Sequence, residues 1–251
     1  MQWINRTRLT DGVLAGTFLN LGSPAAVEIA AAIGFDWLLL DLEHGAGTEG
    51  DLRSLLMACR GSQVAPIVRL RSVNEDAAKY ALDSGAAGVM FPWVSSVAEA
   101  ERAVRCVKYP PQGRRGVAGV IRATGYGANW GTYFREANEH SFVVVQIETP
   151  EAVAAADDIA AVEGVDSLFV GPLDLSANMG HAGDFSPEPF QQHLTTVVQA
   201  CERHGKSAGI LSKPGFVQQH LEMGFRLFAL GSDAQGVTQG LQRNLQEIRN
   251  L

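Results

Sequence analysis

The feature that most constrains how this chain folds is a regular alternation of short apolar runs with longer segments of helical spacing. The short runs are rich in Val, Ile, Leu or Phe and are bounded by Gly, Pro, Asp or Asn, which is typical of buried parallel strands. They predict eight strands, at residues 13–19, 37–42, 66–70, 88–91, 142–147, 167–170, 207–211 and 226–230.

Segments that fit helices follow these strands, and several begin with a capping residue or proline and end at glycine. They predict helices at residues 24–33, 51–60, 74–83, 96–107, 150–159, 187–204, 214–223 and 233–249. Eight strand–helix units in order form a closed parallel barrel, and 251 residues is a usual length for one. We therefore predict an α/β fold, a single-domain (β/α)8 TIM barrel over residues 1–251.

Charge and apolar patterning exclude several classes of partner. Acidic residues outnumber basic ones, 27 to 20, and the formal net charge of −7 argues against nucleic-acid binding. No segment has the pattern of a signal peptide or the apolar length of a membrane span. Cys59, Cys106 and Cys201 are odd in number and far apart, so we predict reduced thiols within helices and a cytoplasmic protein.

One connection, residues 108–141, is much longer than the others. It is rich in glycine and proline, but it also contains Tyr126, Trp130 and Tyr133. Long connections inside a compact domain are usually functional or disordered. The aromatic side chains favour an ordered, functional loop.

Polar side chains that follow the predicted strands are the best candidates for chemistry, because these loops of a (β/α) barrel converge over one open face. Four of the strands are followed by such groups. They are Asp41, Glu43 and His44 after the second strand, Arg69 and Arg71 at the third, Gln146 and Glu148 at the fifth, and Gly171, Pro172 and Asp174 after the sixth.

Glu148 and Asp174 have two interpretations. As a pair of oxygen ligands they would form an open site for a divalent cation such as Mg²⁺ or Mn²⁺. As isolated residues near helix starts they would merely satisfy backbone N–H groups of a first turn.

His44 is the candidate general base, since the Asp41 carboxylate three residues earlier is near enough to orient its ring. The alternative is a structural histidine.

Arg69 ends an apolar strand, so its guanidinium must reach water at the barrel mouth or meet an anion there. An anionic substrate is one partner, and an ion pair with Glu148 or Asp174 is the other.

A Schiff-base mechanism would need a lysine at the same mouth. Lys213, after the seventh strand, is the one lysine of the sequence in such a place. Nothing in its immediate sequence, Ser212-Lys213-Pro214, indicates a lowered pKa, so this mechanism is disfavoured.

Together these motifs resemble the HpcH/HpaI-type class II pyruvate aldolases of the phosphoenolpyruvate/pyruvate-binding barrel superfamily. The resemblance covers nearly the whole chain. The motifs that carry it are Gly22-Ser23-Pro24, Asp36-Trp37, Asp41-Leu42-Glu43-His44-Gly45, Val68-Arg69, Gly85-Ala86-Ala87-Gly88, Arg115-Gly116-Val117, Gln146-Ile147-Glu148-Thr149, Gly171-Pro172-Leu173-Asp174-Leu175-Ser176 and Gly231-Ser232-Asp233.

The resemblance implies a role for each candidate. Glu148 and Asp174 would bind a divalent cation (Mg²⁺, Mn²⁺ or Co²⁺), Arg69 would bind the keto or enolate oxygen, and Asp41 with His44 would drive proton transfer. The remaining substrate-binding residues would be Gln146, Gly171, Pro172 and Asp174, with the backbone around Gly171 and Pro172 cradling the pyruvate carboxylate.

The resemblance also implies a homo-hexamer, a trimer of dimers, in which a neighbouring subunit completes the mouth of each site. Residues 114–130 and the region after the third strand are the natural contacts. Gly125 departs from the family pattern, because several relatives carry a basic residue there. Arg122, three residues earlier, is the candidate replacement.

The expected function is the metal-dependent, reversible cleavage of a 4-hydroxy-2-oxo acid to pyruvate, or a close 2-oxo acid, and an aldehyde. Both partners are small molecules. Two alternatives stay open, a citrate-lyase-β-like enzyme acting on an acyl-CoA and a barrel that binds 2-oxo acids without catalysis. The first is disfavoured because the sequence has no basic cluster denser than Arg114-Arg115 to hold the CoA phosphates.

Overall fold

A computed structural model describes residues 2–250 and shows, within them, a closed barrel of eight parallel strands in sequence order. The strands are β1 (Leu14–Leu19), β2 (Trp37–Asp41), β3 (Ala65–Arg69), β4 (Gly88–Phe91), β5 (Phe142–Ile147), β6 (Ser167–Val170), β7 (Ser207–Ser212) and β8 (Leu227–Ser232). The predicted fold is confirmed. The predicted domain, 1–251, also includes Met1 and Leu251, which lie outside the described residues.

Helices cover the outside of the barrel. They are α1 (Thr7–Asp11), α2 (Pro24–Ile33), α3 (Glu49–Ala58), α4 (Glu75–Asp83), α5 (Val97–Val107), α6 (Trp130–His140), α7 (Pro150–Ala154), α8 (Ala156–Ala161), α9 (Pro172–Asn178), α10 (Glu188–Arg203), α11 (Val217–Met223) and α12 (Asp233–Arg249). The prediction of one helix at 150–159 is wrong, because the chain bends at Ala155 and forms α7 and α8. The sequence analysis also missed α1, α6 and α9.

The barrel interior is filled by large apolar side chains. Phe169 packs against Phe18 and, edge to face, against Trp37, with ring centroids 6.1 and 6.2 Å apart. Gly16 makes room for this packing, since a Cβ at that position would overlap the Trp37 indole. A second apolar layer lies between the sheet and the helices. Close packing inside leaves the C-terminal mouth of the barrel for polar groups.

The long connection is ordered, but it lies at the other end of the barrel. It runs from the end of α5 to the start of β5, and both lie at the N-terminal ends of the strands. Within it, Arg122 donates to the carbonyl oxygens of Ser84 (2.6 Å) and Leu56 (3.1 Å), near the ends of α4 and α3. The guanidinium of Arg122 is therefore held at that end of the barrel within one chain, and its role as a replacement for the basic residue absent at Gly125 stays a prediction.

The three cysteines are buried free thiols. Cys106 and Cys201 lie within α5 and α10, as predicted, whereas Cys59 follows the last residue of α3. Among the described residues, no helix has both the length and the apolar character that a membrane crossing requires.

Candidate active site

Four polar side chains meet in the barrel mouth and are almost completely buried. Asp41 and Arg69 are the last residues of β2 and β3 and are partners in the strand register. Gln146 lies in β5, and Glu148 follows it. These four residues are 2%, 6%, 1% and 2% exposed, respectively. Burying charged groups costs free energy unless they are paired. Clusters of buried charged groups in a cleft are typical of functional sites, so this cluster is the candidate site.

Arg69 is held between two carboxylates. Its Nε and Nη2 donate to the two oxygens of Asp41, at 2.9 and 2.7 Å, and its Nη1 lies 3.0 Å from Oε2 of Glu43. A planar guanidinium suits this two-bond geometry, and an ammonium group does not. The alternative expectation of an ion pair was right in kind but wrong in partner, since Glu148 and Asp174 are not the residues that pair with Arg69.

The structure differs from the prediction that Asp41 orients the His44 ring. The Asp41 carboxylate accepts hydrogen bonds from Arg69, from the side-chain amide of Asn20 (2.6 Å) and from the backbone N–H groups of Glu43 and His44. The His44 ring instead faces Glu43, with 3.8 Å between Nε2 and Oε2, and 65% of the His44 side chain is exposed. Asp41 therefore binds the backbone of the loop that carries His44, whereas the carboxylate that faces the His44 ring is that of Glu43.

Glu148 is a buried carboxylate with two donors. Oε2 accepts from the backbone N–H of Trp93 at 3.0 Å, and Oε1 accepts from the Gln146 amide at 3.0 Å. The interpretation of Glu148 as a helix cap is wrong, since Thr149 caps α7 through the N–H of Ala152. Burial, and more weakly the neighbouring Asp174 and Glu43, raises the pKa of Glu148 to about 7.

Gln146 connects the two halves of the cluster. Its amide nitrogen donates to Glu148, and its amide oxygen lies 3.5 Å from Nη1 of Arg69. Both ends of this predicted substrate-binding side chain are thus occupied by neighbouring residues, so in this structure it orients Arg69 and Glu148.

Gly171, Pro172 and Asp174 form the junction of β6 and α9 beside Glu148. A Cβ on Gly171 would lie 2.5 Å from Oε1 of Glu148, so glycine permits this close approach. Pro172 is the first residue of α9, where its missing N–H has no cost. Asp174, half-buried in the first turn of α9, acts electrostatically on both Glu148 and Glu43.

Excess negative charge is the main electrostatic property of this site. Four carboxylates, those of Asp41, Glu43, Glu148 and Asp174, surround the single guanidinium of Arg69. Full ionisation would leave three negative charges uncompensated in a buried pocket, which is unfavourable without a cation. No three His, Cys, Asp or Glu side chains between residues 2 and 250 come together as a closed metal cluster. Two carboxylates with positions left for water and substrate fit a hard divalent cation such as Mg²⁺ or Mn²⁺.

Lys213 contacts an aromatic side chain. It follows β7, and its Nζ lies 4.3 Å from the centre of the Phe185 ring. That contact has the geometry of a cation–π interaction.

Three residues of the site escaped the sequence analysis as functional candidates, and a fourth, Glu43, was named there without a role. Glu43 contacts Arg69, Asn20 donates to Asp41, Trp93 donates to Glu148, and Asp233 accepts from the backbone N–H of Asn20 at 2.8 Å. Asn20 immediately follows β1, so the rule that reactive groups follow strands would have found it. Trp93 acts through its backbone, with φ +55°, and no sequence pattern indicates that.

The geometry can be compared with known proteins. A sequence model described as HpcH/HpaI aldolase/citrate lyase matches residues 14–239, which span the barrel from β1 into α12. The chain belongs to the HpcH/HpaI aldolase/citrate lyase family. A hydroxypyruvate/pyruvate aldolase of Paraburkholderia phytofirmans is 40% identical over 253 aligned positions, covering 98% of this chain and 96% of that protein. A 5-keto-4-deoxy-D-glucarate aldolase of Salmonella arizonae is 39% identical over 232 positions, covering 92% and 90%.

Solved structures agree with this membership of the HpcH/HpaI family. A family protein from Burkholderia cenocepacia superposes with a TM-score of 0.91 at 36% identity, covering 97% of this chain and 98% of that one. The predicted family and enzyme class, a carbon–carbon lyase, are confirmed. The alternative of a barrel without catalysis is thereby set aside.

Proposed function

We propose that this HpcH/HpaI family member is a divalent-metal-dependent aldolase. It would cleave a 4-hydroxy-2-oxo acid reversibly to an aldehyde and pyruvate, or a close 2-oxo acid such as hydroxypyruvate. The observation that carries the proposal is the buried cluster in which four carboxylates surround Arg69. Such a site attracts a cation and keeps one guanidinium for an anionic substrate.

Glu148 and Asp174 are the residues that would hold the cation. The other two carboxylates are engaged by Arg69, whereas Glu148 accepts only neutral donors and Asp174 lies beside it. When bound, a divalent cation supplies Lewis-acid polarisation of the 2-oxo group. The backbone around Gly171, Pro172 and Asp174 is where we place the substrate carboxylate.

The residues of this chain would carry the proton and charge transfers. His44 removes the proton from the 4-hydroxyl group, the C3–C4 bond breaks, and its electron pair passes into the enolate of the 2-oxo acid while the aldehyde leaves. Arg69 stabilises the charge that develops on the enolate oxygen. Protonation of C3 then gives the 2-oxo acid. Because the His44 ring is exposed, it is accessible to the 4-hydroxyl proton. The pairing of Asp41 with Arg69 holds in place the guanidinium that stabilises the enolate oxygen.

We also propose the homo-hexamer, a trimer of dimers, and a cytoplasmic location. Within its described length, 233–249, α12 has no buried residue and presents an apolar stripe to the outside. The stripe consists of Val237, Leu241, Leu245 and Ile248. Exposed apolar patches of this kind support contact with another subunit. The buried free thiols support a reducing compartment.

The test is steady-state formation of pyruvate from a 4-hydroxy-2-oxo acid, with and without a chelator. We expect the chelator to abolish turnover and Mn²⁺, Mg²⁺ or Co²⁺ to restore it. Reverse reactions with pyruvate or hydroxypyruvate and a panel of aldehydes then identify donor and acceptor. Activity that is indifferent to the chelator, with a borohydride-reduced adduct on Lys213, would contradict the proposal, as would turnover confined to acyl-CoA substrates.

A further inference from the structure

We propose that Glu43 is the positioning residue of His44 and couples it electrostatically to Arg69. Its effect on turnover depends on the function proposed above, whereas the coupling itself does not. Sequence spacing assigned this part to Asp41, and the tertiary structure favours the adjacent carboxylate.

One oxygen atom of Glu43 faces both partners. Oε2 lies 3.0 Å from Nη1 of Arg69 and 3.8 Å from Nε2 of His44. The Glu43 side chain is only 10% exposed, so its position is fixed by its surroundings while the exposed His44 ring can turn. The ring is therefore the part that moves, and the carboxylate is its fixed partner.

The same oxygen has capacity for another hydrogen bond. Oε2 of Glu43 is inaccessible to solvent and has no hydrogen-bond donor in acceptable geometry among residues 2–250. The ion pair with Arg69 compensates its charge, and the oxygen keeps a lone pair for a hydrogen-bond donor. A rotation of the His44 ring that shortens the 3.8 Å separation would supply the missing N–H.

Asp41 cannot take this part without losing other bonds. Its two oxygens already accept from two nitrogens of Arg69, from Asn20 and from two backbone N–H groups. A carboxylate has about four lone-pair sites, so these five donors fill its acceptor capacity. The ring of His44 would have to displace one of them.

The chemical consequence concerns the moment at which His44 takes a proton. The imidazolium that forms lies beside a negative charge held in place by Arg69, so its formation is favoured. The charged groups that act on Glu43 are Arg69 and His44, which lower its pKa, and Asp41 and Asp174, which raise it, with burial as the largest cause of a raised pKa. Glu148 is coupled to Glu43 across the same pocket.

The experiment compares Glu43→Gln, which keeps the shape and removes the charge, with Glu49→Gln as a matched control. Glu49 is exposed at the first residue of α3. The first readout is the NMR titration of the His44 ring in ¹³C-histidine-labelled, metal-free protein, with the signal assigned by its loss in His44→Ala. We expect the midpoint to fall in Glu43→Gln, because the negative charge 3.8 Å from Nε2 is removed, and to stay in place in Glu49→Gln.

The second readout is kinetic. In Glu43→Gln the acid limb of the kcat/KM profile should move to lower pH, and kcat should fall by about 10- to 100-fold at neutral pH with KM within about threefold. Glu43→Asp should recover part of the loss. A merely structural role of Glu43 beside Arg69 would raise KM and leave the position of the limb unchanged.

The outcomes separate the two proposals. An unchanged His44 titration in Glu43→Gln, or a larger change in Asp41→Asn, overturns the inference whatever the activity. A shifted titration in an enzyme that cleaves no 4-hydroxy-2-oxo acid with any metal supports the coupling and overturns the proposed function instead.

Discussion

At the scale of single residues, Arg69 illustrates how burial and pairing define what a side chain can do. The guanidinium is charged at every accessible pH, so its burial in the mouth requires partners, and Asp41 and Glu43 provide them. The pairing also orients the guanidinium toward the pocket before any substrate arrives. Preorganised charge of this kind lowers a reaction barrier more than charge that must be rearranged.

Replacing Arg69 by Lys should therefore not be conservative. The ammonium cannot donate to both oxygens of Asp41 at once, and it cannot hold one orientation toward an enolate oxygen. We expect kcat/KM for aldol cleavage to fall by an amount equivalent to about 2–4 kcal/mol, and Arg69→Ala to lose more. Thermal unfolding of both variants separates lost stability from lost chemistry. Unchanged kcat/KM in a folded variant would make Arg69 structural only.

Metal binding and proton transfer should separate among three variants. We expect Glu148→Gln and Asp174→Asn to weaken Mn²⁺ binding by at least about tenfold, because each would remove a negative charge from the proposed ligand pair. His44→Ala should keep the metal affinity and lose about 10²- to 10⁴-fold in cleavage rate. Calorimetric titration with Mn²⁺ beside steady-state cleavage checks this. Loss of metal from His44→Ala would show that the ligands and the base are assigned wrongly.

At the scale of elements, the junction of β7 and α11 contains a buried histidine. The distance between Oγ of Ser212, the last residue of β7, and Nδ1 of His220 in α11 is 2.9 Å. The ring packs against Phe216 and Phe225, and His220 is 6% exposed. Burial lowers the pKa of His220 to about 4, so the ring is neutral in the folded protein at neutral pH.

This histidine predicts a pH dependence of stability. Below about pH 6.5 the unfolded chain binds a proton that the folded protein does not, so the free energy of unfolding falls as the pH falls toward 4. The contribution should be about 2 kcal/mol between pH 7 and pH 5. Urea unfolding of the wild type and of His220→Gln at both pH values measures it, with His193→Gln as control. Equal pH slopes in all three proteins would contradict the prediction.

At the scale of the whole molecule, α12 has an apolar face that no other part of the described chain covers. Helices of a globular protein bury one apolar face, yet Leu241 and Ile248 are 65% and 64% exposed. Val237, Leu241, Leu245 and Ile248 follow a helical period, so they form one continuous stripe. A second subunit would cover this stripe.

Disrupting the stripe should lower the oligomeric state. Leu241→Glu with Leu245→Glu places two charges in the contact, and desolvating an unpaired charge is strongly unfavourable. We expect sedimentation to show a smaller particle than the wild type, with the circular dichroism of the barrel retained. Gln239→Glu, on the opposite face of α12, should leave the assembly intact. A monomeric wild type, or an unchanged mass in the double variant, would contradict this.

Sequence patterning determined the architecture because strand and helix periods are local properties. Each of the eight predicted strands is present, with ends that differ by at most two residues. Helices that depend on context were missed. The segment of α6 lies in a connection whose glycines and prolines indicate a loop, and α7 and α8 divide at a bend that no breaker residue marks.

The positions of the candidate residues also followed from the sequence alone, since the ends of parallel strands must meet at one face of a barrel. Which side chain touches which was decided only by the tertiary structure. Asp41 lies only three positions before His44, but strand register places Asp41 opposite Arg69, and the stronger bidentate pair forms there. Glu43 then remains to face His44. Contacts between residues distant in sequence depend on register and burial, and neither can be read from local spacing.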